Sequence, residues 1–283
     1  MKEKITICIP TKDRSDFLRR LLYYFAREKF RHWLFIGDSS NDWHLKETKK
    51  VVDSLKNLKI KHFECPKLSD AEAIAKMNEF ITTPYAAFLA DDDLLSVSGL
   101  EKCMKFLDKN RDFGAAHGLG IGTRIFGEKP YGKISYVQPY PQIALDADSG
   151  SQRLKDYFAS GPLTLIFSVH RTQDWKDMHQ VFASSPKGWA KQGFVFNELI
   201  PASVSSIRNK VKELDCLYLL RLGHSRVYRQ VEIYKWFTSP DWFPGFSNLR
   251  NKAIEELVKQ DNISRKEAEQ VYEDAVRPYL SGL

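Results

Sequence analysis

Apolar runs and helix-period stripes alternate at regular spacing through the first 125 residues. Residues 5–10 (Ile-Thr-Ile-Cys-Ile-Pro) read as a buried strand that Pro10 ends. The polar loop Thr11-Lys12-Asp13-Arg14 follows, then a helix with Phe17, Leu18, Leu21, Leu22 and Phe25 on one face and Asp13 or Ser15 as its cap. Residues 33–37 form a second apolar strand, which runs into Asp38-Ser39-Ser40-Asn41-Asp42 and a helix carrying Leu45, Val51, Val52 and Leu55. Residues 58–63 alternate with Lys59 and Lys61, the pattern of an outer strand. A helix over 71–81 turns Ile74, Met77, Phe80 and Ile81 inward and delivers the chain to residues 85–95, Tyr-Ala-Ala-Phe-Leu-Ala-Asp-Asp-Asp-Leu-Leu. The stripe Val97, Leu100, Met104 and Leu107 marks the helix beyond it.

Strands alternating with helices predict βαβ units, right-handed crossovers and a mostly parallel sheet flanked by helices. In such sheets ligands bind beyond the carboxyl ends of the strands, near a topological switch point. The Thr11 loop, the Asp38 loop and the Asp91–Asp93 cluster each follow a strand, so all three belong on that rim.

The second half is less regular. Residues 113–126 predict a Gly-interrupted strand, 128–150 a long loop rich in Pro, Gly and Tyr, and 163–169 another apolar strand. Helix patterns surround 173–182 and 194–207, and an apolar stretch covers 216–222. From about residue 226 amphipathic helices follow, broken at 239–245. Trp236, Phe237, Trp242, Phe243 and Phe246 flank that break, as a surface for stacking on a sugar or lipid, or as packing for the helices. The chain divides on this reading at 1–125, 126–225 and 226–283, the last part a C-terminal helical extension.

Three consecutive carboxylates at a strand end repel one another and call for water, basic groups or a cation. Mg²⁺ or Mn²⁺ is commonly held by one or two carboxylates plus the phosphates of a nucleotide. The plainer reading is a helix N-cap, for which one Asp suffices. The formal charge of +7 over 283 residues suits an anionic partner without choosing among nucleotide diphosphate, nucleic acid and membrane surface. The basic residues form no stripe and no nucleic-acid motif, which argues against nucleic acid. Cys8, Cys65, Cys103 and Cys216 lie far apart with no C-x-x-C, as free thiols of a reducing compartment would. The first apolar run is too short for a signal peptide and no stretch spans a bilayer, so the expectation is a soluble cytoplasmic protein, at most attached peripherally to a membrane.

The first half resembles the nucleotide-binding half of GT-A-fold glycosyltransferases, especially family 2. The resemblance rests on Ile9-Pro10-Thr11-Lys12-Asp13-Arg14 with Phe17-Leu18 and Leu21-Leu22, on Gly37-Asp38-Ser39-Ser40, and on Phe88-Leu89-Ala90-Asp91-Asp92-Asp93, in that order, over roughly residues 4–125. It implies a metal-dependent, inverting transfer of a sugar from a nucleotide-diphosphate sugar, a UDP-sugar above all, to a glycan or lipid-linked acceptor in bacterial surface polysaccharide synthesis. It places Pro10, Thr11, Asp13 and Arg14 along the nucleoside pocket, Asp38 on the base, Asp91 on the ribose hydroxyls or beside the metal, Asp92 with the nucleotide, and Asp93 on Mn²⁺ or Mg²⁺. Lys76 would reach the phosphates, although the wording around it departs from the family's, and His224 would be a late metal ligand. Asp38 has a rival role as an Asx-turn former.

An inverting transfer also needs a carboxylate base for the acceptor hydroxyl. Glu198, an acid among apolar residues in Phe194-Val-Phe-Asn-Glu-Leu-Ile200, is the first choice, because burial raises a carboxyl towards a base's working range. Asp174, Asp177 and Asp215 are weaker choices. The alternatives are a sugar-phosphate nucleotidylyltransferase, whose Gly-x-Gly-Thr-Arg loop Gly120–Arg124 imitates at the wrong place in the order of strands, and a non-enzymatic nucleic-acid-binding protein.

Overall fold

The computed structural model describes residues 3–160, 165–179, 198–226 and 243–281. Strand β1 (Ile5–Thr11) leads through α1 (Ser15–Arg27) to β2 (Trp33–Asp38), α2 (Asp42–Ser54), β3 (Lys59–Glu64), α3 (Asp70–Asn78) and β4 (Tyr85–Phe88). After the short β5 (Leu94–Leu95) come α4 (Val97–Lys109), β6 (Phe113–Ile125), β7 (Ile134–Tyr140) and α5 (Gly150–Ala159). A 3₁₀ turn at Leu165–Phe167 precedes β8 (Val169–Arg171) and α6 (Thr172–His179). Then follow α7 (Ile200–Arg208), β9 (Lys210–Gly223), α8 (Phe243–Asp261) and α9 (Arg265–Ser281).

One sheet runs β3-β2-β1-β4-β8-β6-β9-β5, with β7 on β6. Its first four strands are parallel. The chain moves outward from β1 to β3 and then returns to place β4 on the other side of β1. With right-handed crossovers this puts α1 and α2 on one face and α3 on the other. The order therefore reverses between β1 and β4, and the crevice beyond their carboxyl ends is bounded by Thr11 and the Asp cluster. Ile5, Ile7, Ile9, Leu34, Ile36, Ala86 and Ala87 are fully buried, as strands covered on both faces require.

The second half is mixed rather than parallel. β8 is antiparallel to both β4 and β6, whereas β9 runs parallel to β6. Four local expectations are corrected here. The apolar run 163–169 supplies a 3₁₀ turn, Leu165–Phe167, ahead of the three-residue β8, because its side chains are buried by packing rather than by a long ladder. The predicted loop at 128–150 contains β7, whose residues are exposed along nearly the whole strand and show no apolar–polar alternation for a periodicity reading to find. Helix α3 stops at Asn78, so Phe80 is not a core residue and is largely exposed, with the Lys61 ammonium 3.6 Å above its ring. Helix α1 has Arg14 at its N-cap and no side-chain cap. Ser15 instead bonds His44 at 2.8 Å, and the Asp13 carboxylate accepts from the Asn41 amide. All four cysteines are buried free thiols.

The C-terminal helices pack against α5 and α7. Asp261 accepts the amides of Gly150 and Ser151 at 2.7 Å each, while Ser149 accepts that of Gln152, so the first turn of α5 is capped from within and from α8. Glu256, buried, takes a bidentate bond from Arg208, whose Nη1 also reaches Asp177 at 2.8 Å. Asp261→Ala is expected to lower stability by about 1–2 kcal/mol, a cap's worth, measured by urea unfolding. An unchanged midpoint would show that α8 does not hold α5. Of the aromatic cluster at the predicted break, Trp236, Phe237 and Trp242 lie outside the described residues, as do the side chains of Phe243 and Phe246.

Candidate active site

The Asp cluster lies just past β4, where Leu89 still bonds Cys8 of β1 through its amide at 3.0 Å. The Asp93 amide donates to the Ala90 carbonyl at 3.2 Å, closing a turn with Asp91 and Asp92 at its centre. The helix beyond is capped by Ser96, whose hydroxyl accepts from the Gly99 amide. The capping role is thus already filled, and none of the three aspartates serves it.

Each carboxylate has its own set of partners, with Arg14 shared between the first two. Asp91, fully buried, accepts from Thr11 Oγ1 at 2.6 Å across the switch point and pairs with Arg14 at 2.6 Å. Asp92 takes the other Arg14 nitrogen at 2.6 Å and His224 Nε2 at 3.0 Å. Asp93 accepts from Arg221 at 2.6 Å and from the Leu222 amide at 2.9 Å, both at the end of β9. Arg20 donates to the backbone carbonyl of Asp92. Burial raises the carboxyls of Asp91 and Asp93 above the usual range, against the pull of Arg14 and Arg221 respectively. At Asp92 burial acts the same way but is outweighed by the His224 hydrogen bond and by the Arg14 and Arg221 charges, so this carboxyl lies below its ordinary value. The cluster is therefore graded: one firmly ionised acid between two whose charge depends on neighbouring cations.

His224 does not stand as an open metal ligand. Its Nδ1 accepts from the Arg226 amide at 3.1 Å, its Nε2 donates to Asp92, and its ring stacks on Phe17 at 4.4 Å. Arg14, Arg20 and Arg226 surround the same Phe17 ring within 6.0 Å. Arg226 also grips Asp16, at 3.0 and 3.1 Å, and the Asp13 carbonyl, so the segment after β9 is fastened over the start of α1.

Asp38, at the end of β2, is buried and forms an Asx-turn with the Ser40 amide at 3.0 Å, while its other oxygen bonds His62 Nε2 at 3.2 Å. Burial opposes its ionisation, and the bonds from His62 and Ser40 prevail, holding the carboxyl below its ordinary value. Asp13, with φ of 54°, links the two rim loops, donating its amide to Ser40 Oγ and accepting from Asn41. Pro10 lies beside Gly37 in the β1–β2 ladder. Lys76 bonds the Glu64 carbonyl at 2.8 Å, at the end of β3 rather than at the Asp turn.

Glu198 sits two residues before α7 and is half-buried. Burial raises its carboxyl to about 7, with Arg221 opposing and Asp70 and Asp93 adding to the shift, so it lies within electrostatic reach of the Asp93–Arg221 pair. Asp177 is committed to Arg208. The sequence reading missed Arg20, Arg221 and Arg226. Arg20 had a signal, being spaced with Arg14 and Phe17 along one helical face, whereas Arg221 sat in an apolar stretch with nothing local to mark it. The Gly120–Arg124 sequence lies within β6, where a Cβ on Gly120 would come within 2.6 Å of the Tyr140 carbonyl. Gly120 serves close strand packing, and the segment is a strand rather than a phosphate loop.

For a divalent cation, no group of three His, Cys, Asp or Glu side chains among the described residues is placed to hold the ion by protein alone. Asp91 and Asp93 offer hard carboxylate oxygens, the ligand type that Mg²⁺ or Mn²⁺ takes beside a diphosphate, and each is paired with an arginine, Arg14 or Arg221.

A reversing parallel sheet with an acidic turn at its switch point, joined to a mixed second half, is the architecture that the resemblance to GT-A glycosyltransferases implies. The chain belongs to glycosyl transferase family 2, whose profile matches residues 6–155. No curated protein sequence matches it. Among solved structures it is similar to S. aureus TarS 1-349, at 14% identity and a TM-score of 0.59, over 98% of this chain and 72% of that one. It is likewise similar to TarS 1-349 in complex with UDP-GlcNAc, at 17% identity and a TM-score of 0.60, over 98% and 73%. Against a longer TarS chain the identity is 16%, the TM-score 0.58, and this chain spans 44% of the length. At these identities the likeness concerns the fold.

Proposed function

We propose that this glycosyltransferase moves a sugar from a nucleotide-diphosphate donor, a UDP-sugar, to a hydroxyl of a glycan or lipid-linked acceptor with inversion, in the making of a surface polysaccharide. The observation that carries the reading is the Asp91–Asp93 turn beside Thr11 at the switch point, ringed by Arg14, Arg20 and Arg221. The TarS structures in complex with UDP and with UDP-GlcNAc share this fold and favour a uridine donor.

The nucleoside lies along Thr11, Asp13 and Asp38, whose held carboxylate suits a base N–H. Asp93, with Asp91 behind it, would hold Mn²⁺ or Mg²⁺ against the diphosphate, where the ion supplies Lewis-acid stabilisation of the leaving charge. Arg14 and Arg221 add fixed positive charge at the same place. Glu198 takes the proton of the acceptor hydroxyl as its oxygen forms the new bond to the anomeric carbon. The bond from that carbon to the diphosphate oxygen breaks, and the nucleoside diphosphate leaves with the electron pair.

Titration calorimetry with UDP tests the donor site. Binding is expected with Mn²⁺ or Mg²⁺ and is expected to weaken about tenfold or more in EDTA. Silence towards UDP, GDP, CMP and dTDP alike, with metal present, would remove the nucleotide reading altogether.

A further inference from the structure

The β6–β7 hairpin carries an unusual surface. Phe126, Tyr131, Ile134 and Val137 are 67%, 69%, 57% and 63% exposed, along with Tyr136. Between residues 124 and 139 the cations Arg124, Lys129 and Lys133 are exposed, against Glu128 alone. The ladder shifts register between Arg124 and Ile125, so Ile134 and Val137 share the face of their partners Ile125 and Thr123, while Tyr136 projects with Arg124 from the other. A folded protein partner covers one face of a ribbon. Apolar groups on both faces suit a fluid medium that surrounds it.

The arm is nevertheless fixed at its root. The Lys133 carbonyl accepts from the Phe126 amide at 3.1 Å, and the Gly127 carbonyl accepts from the Ser225 amide at 3.1 Å. Arg20 Nη1 donates to the Pro130 carbonyl at 3.0 Å, while its other nitrogen holds the Asp92 carbonyl. One arginine thus joins the arm to the acidic turn. Among the described residues no helix is long and apolar enough to cross a membrane.

We propose that this hairpin is a docking arm for an anionic bilayer, with Phe126, Tyr131, Ile134 and Val137 in the interfacial layer and Arg124, Lys129 and Lys133 on the headgroups. Aromatic rings settle at the level of the headgroups, and each cation near an anionic surface adds attraction. Docked in this way, the arm holds the mouth of the Asp turn beside the membrane, where a lipid-linked acceptor would present its sugar. The binding itself does not depend on the donor reading.

The test is co-sedimentation of the full chain with vesicles of phosphatidylcholine alone and of phosphatidylcholine mixed with phosphatidylglycerol. The wild type is expected to pellet with the anionic vesicles and to be released by salt. Phe126→Ser with Val137→Ser, and separately Lys129→Glu with Lys133→Glu, are each expected to weaken partitioning about tenfold or more, with unchanged melting temperatures as the fold control. Wild type left in the supernatant, or both variants pelleting as wild type does, overturns the proposal. So does self-association of the wild type in solution that the Phe126 and Val137 changes abolish, since a second copy would then cover the arm.

Discussion

Glu198→Gln is expected to lower kcat by about a thousandfold while leaving UDP affinity within about twofold. Glutamine keeps the shape and polarity of the side chain but cannot accept the acceptor's proton, so the loss falls on the chemical step. The wild-type pH profile carries the same argument. A base must be ionised to work, and burial raises the Glu198 carboxyl to about 7. Activity should therefore rise with pH, close to tenfold per unit on the acid side, and level off above about 7. The limb should vanish in Glu198→Gln, whose residual rate no longer waits on that proton. A profile already flat at pH 5, or a variant within about threefold of wild type, would assign the base elsewhere.

Asp93→Ala is expected to abolish the metal-stimulated part of UDP binding and to lower kcat/KM by about a hundredfold or more, through lost stabilisation of the leaving diphosphate. The side chain also restrains the end of β9 through Arg221 and Leu222, so the alanine variant leaves a partly buried guanidinium without this carboxylate. Asp93→Asn separates the two effects. It can still accept from Arg221 and the Leu222 amide, but it is a far weaker ligand for a hard cation. Loss of the EDTA-sensitive binding in both variants, with a normal melting temperature in Asp93→Asn, is the expected pattern. Metal-dependent UDP binding that persists in Asp93→Asn would move the ion to another residue.

The acidic turn and the restraints around it form one connected unit. Arg14 bridges Asp91 and Asp92, His224 joins Asp92 to Phe17, and Arg226 ties the same segment to α1. Three carboxylates crowded into this crevice, two of them fully buried, are tolerable because cations at the start of α1 and the end of β9 reach them. A diphosphate entering the site would compete for those same arginines, so the charges that hold the free site together are also those that would receive the donor.

Much of the first half was legible from the sequence because its signals are local. A strand covered on both faces must be continuously apolar, a helix lying on it must repeat its apolar residues every three or four positions, and an acid-rich turn must follow where the strand leaves the sheet. Those demands are met within windows of ten to fifteen residues, from Ile5 to Leu107. The acidic cluster and its place on the rim followed from the same local grammar. The second half was legible only in pieces. β9 pairs in parallel with β6 through bulges that shift its register, and β7 is exposed along nearly its whole length, so neither shows a clean period. Which cation meets which acid was invisible altogether: Arg221 and Asp93 are 128 residues apart, and His224 and Asp92 are 132. The sequence alone determined where apolar surface must be hidden and where carboxylates accumulate, because burial and turn formation are properties of a short stretch. The tertiary structure decided which charges neutralise that cluster, because an ion pair depends on the distance between side chains, and only the folded sheet brings the end of β9 to the end of β4.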